Sequence, residues 1–162
     1  LIGNNQPIIR VMPNLNAMVG ESLSVWVKSP EVSLGQEEFA VAILRSIGQE
    51  LYLQKEELIS AATAVSGSGP AYVFYLVEIL EANARDFGFS EEEARVLSHQ
   101  TIIGSAKFLQ SSTKSPKELR LNVTSKGGTT EAAFAVFYSI NLRSVFNKGI
   151  KAAFKRAKEL TS

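Results

Sequence analysis

Apolar positions alternate with polar ones early in this chain and take up a helical rhythm further on. Ile8, Ile9 and Val11 form a short β-branched run that Pro13 and Asn14 stop, which is the pattern of a buried strand over residues 7–12. Ser24 to Lys28 alternates Ser, Val, Trp, Val and Lys and predicts a second strand, and Glu50 to Leu53 predicts a third. A helix fits between these two. Ser33 and Gln36 make a capping box, and Phe39, Ile43, Leu44 and Ile47 share one face. Gly48 then stands where a left-handed helix cap is expected. The opening segment reads as β-β-α-β, the end of a larger sheet.

After about Glu56 the chain turns to helix formers. Pro70 opens a long helix, because the amide hydrogen it lacks would have no partner in a first turn. Ser90 with Glu93 opens the next, and Ser115, Pro116 and Glu118 open a short one ending near Val123. Helices resume from about Thr130 to Tyr138 and from about Leu142 to Leu160. The helix after Pro70 is apolar almost all round, through Ala71, Tyr72, Val73, Phe74, Tyr75, Leu76, Val77, Ile79 and Leu80. A helix without a polar face has to be covered on every side. A second subunit is expected to supply part of that cover in an isologous homodimer, the alternative being the central helix of a monomeric bundle. The fold expected is mainly α, with a short α/β sheet remnant over residues 1–56 and an all-helical domain over residues 57–162.

Composition narrows the functions. Seventeen basic residues against sixteen acidic ones leave a net charge of +1, so no global field gathers nucleic acid or an anionic membrane surface. The lack of cysteine removes disulfides, thiolate metal sites and a cysteine nucleophile, and fits a cytoplasmic location. The apolar stretch from Ala71 to Ala84 is broken by Glu78 and Glu81 and reads as a buried soluble helix, not a membrane span. The chain opens at Leu1 without a signal sequence, which reads as a fragment.

The segment from Val123 to Ala133 carries the most chemistry. Two glycines and two hydroxyl pairs lead straight into a helix, so backbone N–H groups point outward at the positive end of the helix dipole. A carboxylate suits such a place, since glycine lets the backbone approach closely. The residues alone equally allow a plain loop in which Thr129 or Thr130 caps the helix. His99, the sole histidine, is expected at a surface or a satisfied position, and it cannot build a metal site alone. Lys148, Lys151, Lys155 and Lys158 recur at helical spacing as a solvated face, and Trp26 is expected to serve packing.

The run from Pro116 through Glu118, Leu119, Arg120 and Val123 into Thr124-Ser125-Lys126-Gly127-Gly128-Thr129-Thr130 resembles the signature of pyrroline-5-carboxylate reductases, usually written V-T-S-P-G-G-T-T. Two further blocks resemble the family in the same order, Arg10-Val11-Met12-Pro13-Asn14 with Val19-Gly20-Glu21, and Ser66-Gly67-Ser68-Gly69-Pro70-Ala71-Tyr72. Lys126 departs from the family's usual proline, and Leu15-Asn16 from a common Thr-Pro. The resemblance implies the C-terminal part of an NAD(P)H-dependent reductase of proline biosynthesis. Residues 1–56 would be the end of its dinucleotide-binding domain and residues 57–162 its dimerisation and substrate-binding domain. It further implies that Ser125, Lys126, Gly127, Gly128, Thr129 and Thr130 hold the carboxylate of pyrroline-5-carboxylate. Thr130 would act at the imine nitrogen, and Met12, Pro13 and Asn14 would lie near the nicotinamide of NADP or NAD. No G-x-G-x-x-G run is present, and Gly67-Ser68-Gly69 leads into Pro70 and Tyr72 instead, so the cofactor site is expected to be incomplete and the fragment inactive. Two other readings stay open: a dimerising module without catalysis, and a β-hydroxyacid type of dehydrogenase with Lys126 as general acid.

Overall fold

A computed structural model describes residues 6–161. Strand β1 (Ile9–Met12) ends at Pro13, and Asn14 caps a single 3-10 turn over Leu15–Val19. Strand β2 (Ser22–Lys28) pairs antiparallel with β1, Ile9 opposite Lys28 and Met12 opposite Val25. Helix α1 (Leu34–Ser46) carries the chain across so that β3 (Gly48–Tyr52) lies parallel to β2, from Ser22 opposite Gly48 to Trp26 opposite Tyr52. Parallel neighbours require such a crossover, which explains why a helix separates these two strands. The order β1-β2-β3 leaves β2 in the middle, and Ser22, Ser24, Val25 and Trp26 are buried there.

The β-β-α-β reading of the opening segment therefore holds, with strand ends shifted by a few residues. Trp26 does serve packing. It is 2% exposed, its ring lies 4.8 Å from that of Tyr52, and its Nε1–H donates to Glu50 at 2.8 Å. That bond holds the Glu50 carboxyl below the usual carboxylate range, with Arg45 assisting. Helix α1 buries Leu44 but leaves Phe39 and Ile43 exposed.

Gly48 differs from expectation. Ile47 terminates α1, and Gly48, at φ 145°, begins β3 in place of forming a left-handed cap. The position needs glycine for another reason: a Cβ there would fall 2.2 Å from the Ser22 carbonyl oxygen.

The glycine-rich stretch before Pro70 is helical. Helix α2 (Leu58–Ala62), which the residue pattern does not announce, leads into one π-helical turn over Thr63–Gly67 and on through Ser68 into α3 (Gly69–Asp86). The turn is held by side chains that bond back along the helix, Thr63 Oγ1 to Ile59 O at 2.8 Å and Ser66 Oγ to Ala62 O at 3.0 Å. Such back-bonding satisfies the Ser and Thr hydroxyls inside a helical path and tends to bend it.

Helix α4 (Glu91–Ser111) and helix α5 (Pro116–Asn122) each start on a complete capping box, Ser90 with Glu93 and Ser115 with Glu118. Helix α6 (Thr129–Ser139) is joined to α7 (Leu142–Glu159) through Asn141, which adopts φ 50°. Lys148, Lys151, Lys155 and Lys158 are exposed on α7, as expected of a solvated face. His99 meets Glu81 at 3.1 Å and is thus a satisfied, half-exposed side chain.

The chain divides into two compact units, Leu1–Tyr72 with Lys148–Ser162, and Val73–Asn147. In the first, Val25, Trp26, Val32, Leu44, Ile59, Ala64 and Ala157 are buried. In the second, the buried apolar residues among those described are Ala84 and Ala94. Val73, Phe74, Tyr75, Leu76 and Ile79 of α3 are instead exposed by 42–62%. No helix among the described residues is long and apolar enough to cross a membrane.

Two outcomes test this account. Gly48→Ala forces a side chain into the Ser22 backbone at a positive φ, and we expect a loss of about 3 kcal/mol in a denaturant titration. The second concerns acid. The Ser90 and Ser115 hydroxyls, then their backbone amides, hold Glu93 and Glu118 below the usual carboxylate range. A depressed folded pKa stabilises above the unfolded value and is lost as pH falls through the folded one. Between about pH 6 and about pH 3 the native protein should therefore lose more thermal stability than a Ser90→Ala, Ser115→Ala double variant.

Candidate functional site

The loop between α5 and α6 is built from both sides. At the end of α5, Thr124 Oγ1 donates to Arg120 O at 2.7 Å, and Thr124 N donates to Leu121 O at 3.0 Å. Arg120 reaches across to α6, where its guanidinium stacks 4.7 Å from the Phe134 ring centre and its Nη1 donates to the Tyr138 hydroxyl at 2.7 Å. A planar cation on an aromatic face with a directed hydrogen bond is a stiffer brace than a lone ion pair. Arg120 belongs to the motif, but nothing in the sequence announces this role, because its partners lie 14 and 18 residues further on.

Between these anchors Ser125, Lys126, Gly127 and Gly128 make a reverse turn closed by Gly128 N donating to Ser125 O at 3.0 Å. Gly127 takes φ 74°, which a side chain resists. A Cβ on Gly128 would come within 2.4 Å of Ser125 Oγ. The turn thus favours glycine at 127 through its φ, and at 128 a side chain would make the Ser125 hydroxyl move. Lys126 occupies the second position of this turn, where proline is favoured for its fixed φ and where the amide hydrogen needs no internal acceptor. Lysine in that place keeps the turn and adds an N–H group and an ammonium.

Gly128 is the cap residue of α6, and no side chain caps the helix. Thr129 and Thr130 are its first two residues, so neither serves as its cap. The amides of Ser125, Lys126, Thr129 and Thr130 find no acceptor among the described residues, and the same is true of the Ser125, Thr129 and Thr130 hydroxyls. Gly127 N donates to Glu131 Oε2 at 2.7 Å. A cluster of unpaired N–H and O–H donors at a helix start, beside one exposed lysine, is chemically a receptor for a small anion. All six residues expected to form the loop site therefore lie together in one short stretch of one unit.

Met12, Pro13 and Asn14 lie in the other unit, at the end of β1. The Asn14 side chain is engaged at both ends. Its Oδ1 accepts from Asn16 N at 3.2 Å, and its Nδ2 donates to Ser66 O of the π turn at 3.2 Å. Asparagine at position 16 supplies an amide hydrogen that proline would not. The Met12 side chain packs beside Gly67, where an added Cβ would lie 3.0 Å from its terminal methyl. The π turn thus fixes the strand end, a connection between distant segments that no local pattern announces. Next to it Leu15, Met18 and Val19 are exposed by 55%, 84% and 76%. Among the described residues no group of three or more His, Cys, Asp or Glu side chains is arranged to hold a metal ion.

Comparison with known proteins gives this geometry a context. The family model for pyrroline-5-carboxylate reductase dimerisation matches residues 56–160. A pyrroline-5-carboxylate reductase of Pseudomonas aeruginosa is 39% identical over 159 residues, covering 98% of this chain and 58% of the relative. Pyrroline-5-carboxylate reductase 1 of Bacillus subtilis is 35% identical over 158 residues, covering 98% and 53%. Among solved structures, a pyrroline-5-carboxylate reductase from Coxiella burnetii matches with a TM-score of 0.90 at 39% identity, over 98% of this chain and 58% of that one. The Plasmodium falciparum pyrroline carboxylate reductase with NADP bound matches with a TM-score of 0.93 at 29% identity, over 99% and 64%. This chain spans little more than half the length of the curated relatives it matches. The matches span nearly the whole chain, and the chain belongs to the pyrroline-5-carboxylate reductase family.

Proposed function

We propose that this chain is the substrate-binding and dimer-forming part of an enzyme that reduces pyrroline-5-carboxylate to proline. The observation that carries this reading is the set of unpaired donors from Ser125 to Thr130 at the start of α6. The free amides of Ser125, Lys126, Thr129 and Thr130 would bind the substrate carboxylate, with the Ser125 and Thr129 hydroxyls as further donors. The Thr130 hydroxyl, which has no partner of its own among the described residues, would hydrogen-bond the imine nitrogen and favour its protonated form. A reduced nicotinamide, bound as NADPH or NADH, supplies the hydride that reduces the imine carbon. This chemistry asks little else of the protein than orientation, since a protonated imine accepts hydride readily once the two reactants are held face to face.

Met12, Pro13 and Asn14 would flank the nicotinamide. The fit rests on the exposed apolar surface of Leu15, Met18 and Val19 beside the strand end, which suits a flat ring, and on an Asn14 fixed by its two hydrogen bonds. Residues 1–56 would then close a dinucleotide-binding domain whose phosphate-binding turn lies outside this chain, and residues 57–162 would form the helical domain. The uncovered Phe39 and Ile43 on α1 support a continuation of the sheet layer. A homodimer would cover α3, and the cytoplasm would be its location. The presence of only Ala84 and Ala94 as buried apolar residues in the Val73–Asn147 unit supports that association.

Two measurements test this reading. Thr130→Val in the full-length product of the gene should lower kcat about 100-fold with little change in melting temperature, and undiminished turnover would remove Thr130 from the reaction. In solution the chain of residues 1–162 should have the mass of a dimer and show no nicotinamide oxidation with pyrroline-5-carboxylate. A monomeric mass would remove the homodimer, and turnover by this chain would contradict the incomplete cofactor site.

A further inference from the structure

The loop already holds a carboxylate of its own. Glu131, in the first turn of α6, places Oε2 at 2.7 Å from Gly127 N, in the middle of the donor cluster. The Glu131 side chain makes no other hydrogen bond or ion pair among the described residues, and the residue is exposed. Lys126 lies next to Gly127 in the chain, and its ammonium has no ion-pair partner among the described residues. The Glu131 carboxylate accepts from the backbone amide of Gly127 and pairs with no cation among the described residues. That choice shows which chemistry the loop favours: an oxyanion received by N–H groups of fixed direction, reinforced by the dipole of α6.

We propose that Glu131 is a built-in competitor, a carboxylate that occupies the Gly127 amide while the loop is empty and gives it up when the substrate carboxylate docks. This rests on the reading of the loop as the substrate site. Two carboxylates on adjacent amides repel each other, so the incoming one has to turn Glu131 out toward solvent. The side chain is free to leave, since one hydrogen bond is all that holds it. Its withdrawal would release the Gly127 N–H to join the four amides that are already open. Glu131 is then a positioning residue that sets how tightly the loop takes its anion, while the Thr130 hydroxyl acts on the imine.

The test uses the full-length product of the gene, with pyrroline-5-carboxylate as substrate and L-proline as the binding probe. Glu131→Gln keeps an acceptor for Gly127 but removes the charge, and Glu131→Ala removes both. Competition predicts that KM and the dissociation constant for L-proline fall about threefold to fivefold in both variants, with the change in KM rather than in kcat. A KM that rises in the alanine variant and is restored in the glutamine variant would show Glu131 to be a permanent brace of the turn, and would overturn the proposal. An unchanged KM in both would overturn it as well. Ser125→Ala and Thr130→Val in the same assays separate this failure from a failure of the site reading. If those variants impair the enzyme and the Glu131 variants do not, the competitor alone is wrong. If none of the four has any effect, the loop is not the substrate site, and both fall.

Discussion

A helix start leaves its first amide hydrogens without acceptors, and α6 begins on a glycine that offers no side chain to take them. The rest of the candidate site follows from that deficit. The turn from Ser125 to Gly128 aims the chain into the helix, with Gly127 at a positive φ that favours glycine and Gly128 packed close to the Ser125 hydroxyl. Thr129 and Thr130 add hydroxyls to donors that are already unpaired. In the other helices of this unit that begin after a serine, the same deficit is met internally, by Ser90 with Glu93 and by Ser115 with Glu118. One loop is therefore set apart from its neighbours by having its donors unspent.

Rigidity around the loop comes from elements that have no chemistry of their own. Arg120 ties α5 to α6 by stacking on Phe134 and bonding Tyr138, so the span between the two helices has fixed ends. In the other unit the π turn over Thr63–Gly67 performs a comparable task for the end of β1, through Ser66 O on Asn14 and Gly67 against Met12. In both places a strand or helix terminus carries the candidate residues, and a packed neighbour removes their freedom to move.

Much of this was legible in the residues, for identifiable reasons. Capping boxes are local chemistry, so Ser33, Ser90 and Ser115 announce their helices correctly. The glycine pair before α6 marks a turn for equally local reasons. What escaped depended on distant partners or on a competing local signal. Gly48 resembles a helix cap because it follows a helix, yet its constraint is the Ser22 backbone, 26 residues earlier. The π turn before Pro70 has no local helix signal, and the Thr63 and Ser66 hydroxyls bond to carbonyls one turn back within it. The family signature adds what periodicity alone cannot, namely the family to which the loop belongs.

The near absence of large buried side chains between Val73 and Asn147 has a consequence for how this polypeptide is made. A segment whose buried apolar residues are two alanines gains little by collapsing alone, and most of its hydrophobic gain waits for whatever seals the face of α3. Its folding is then tied to the abundance of that companion surface. Dilution would lower its melting temperature, and newly made chains that meet no companion would remain exposed to proteolysis.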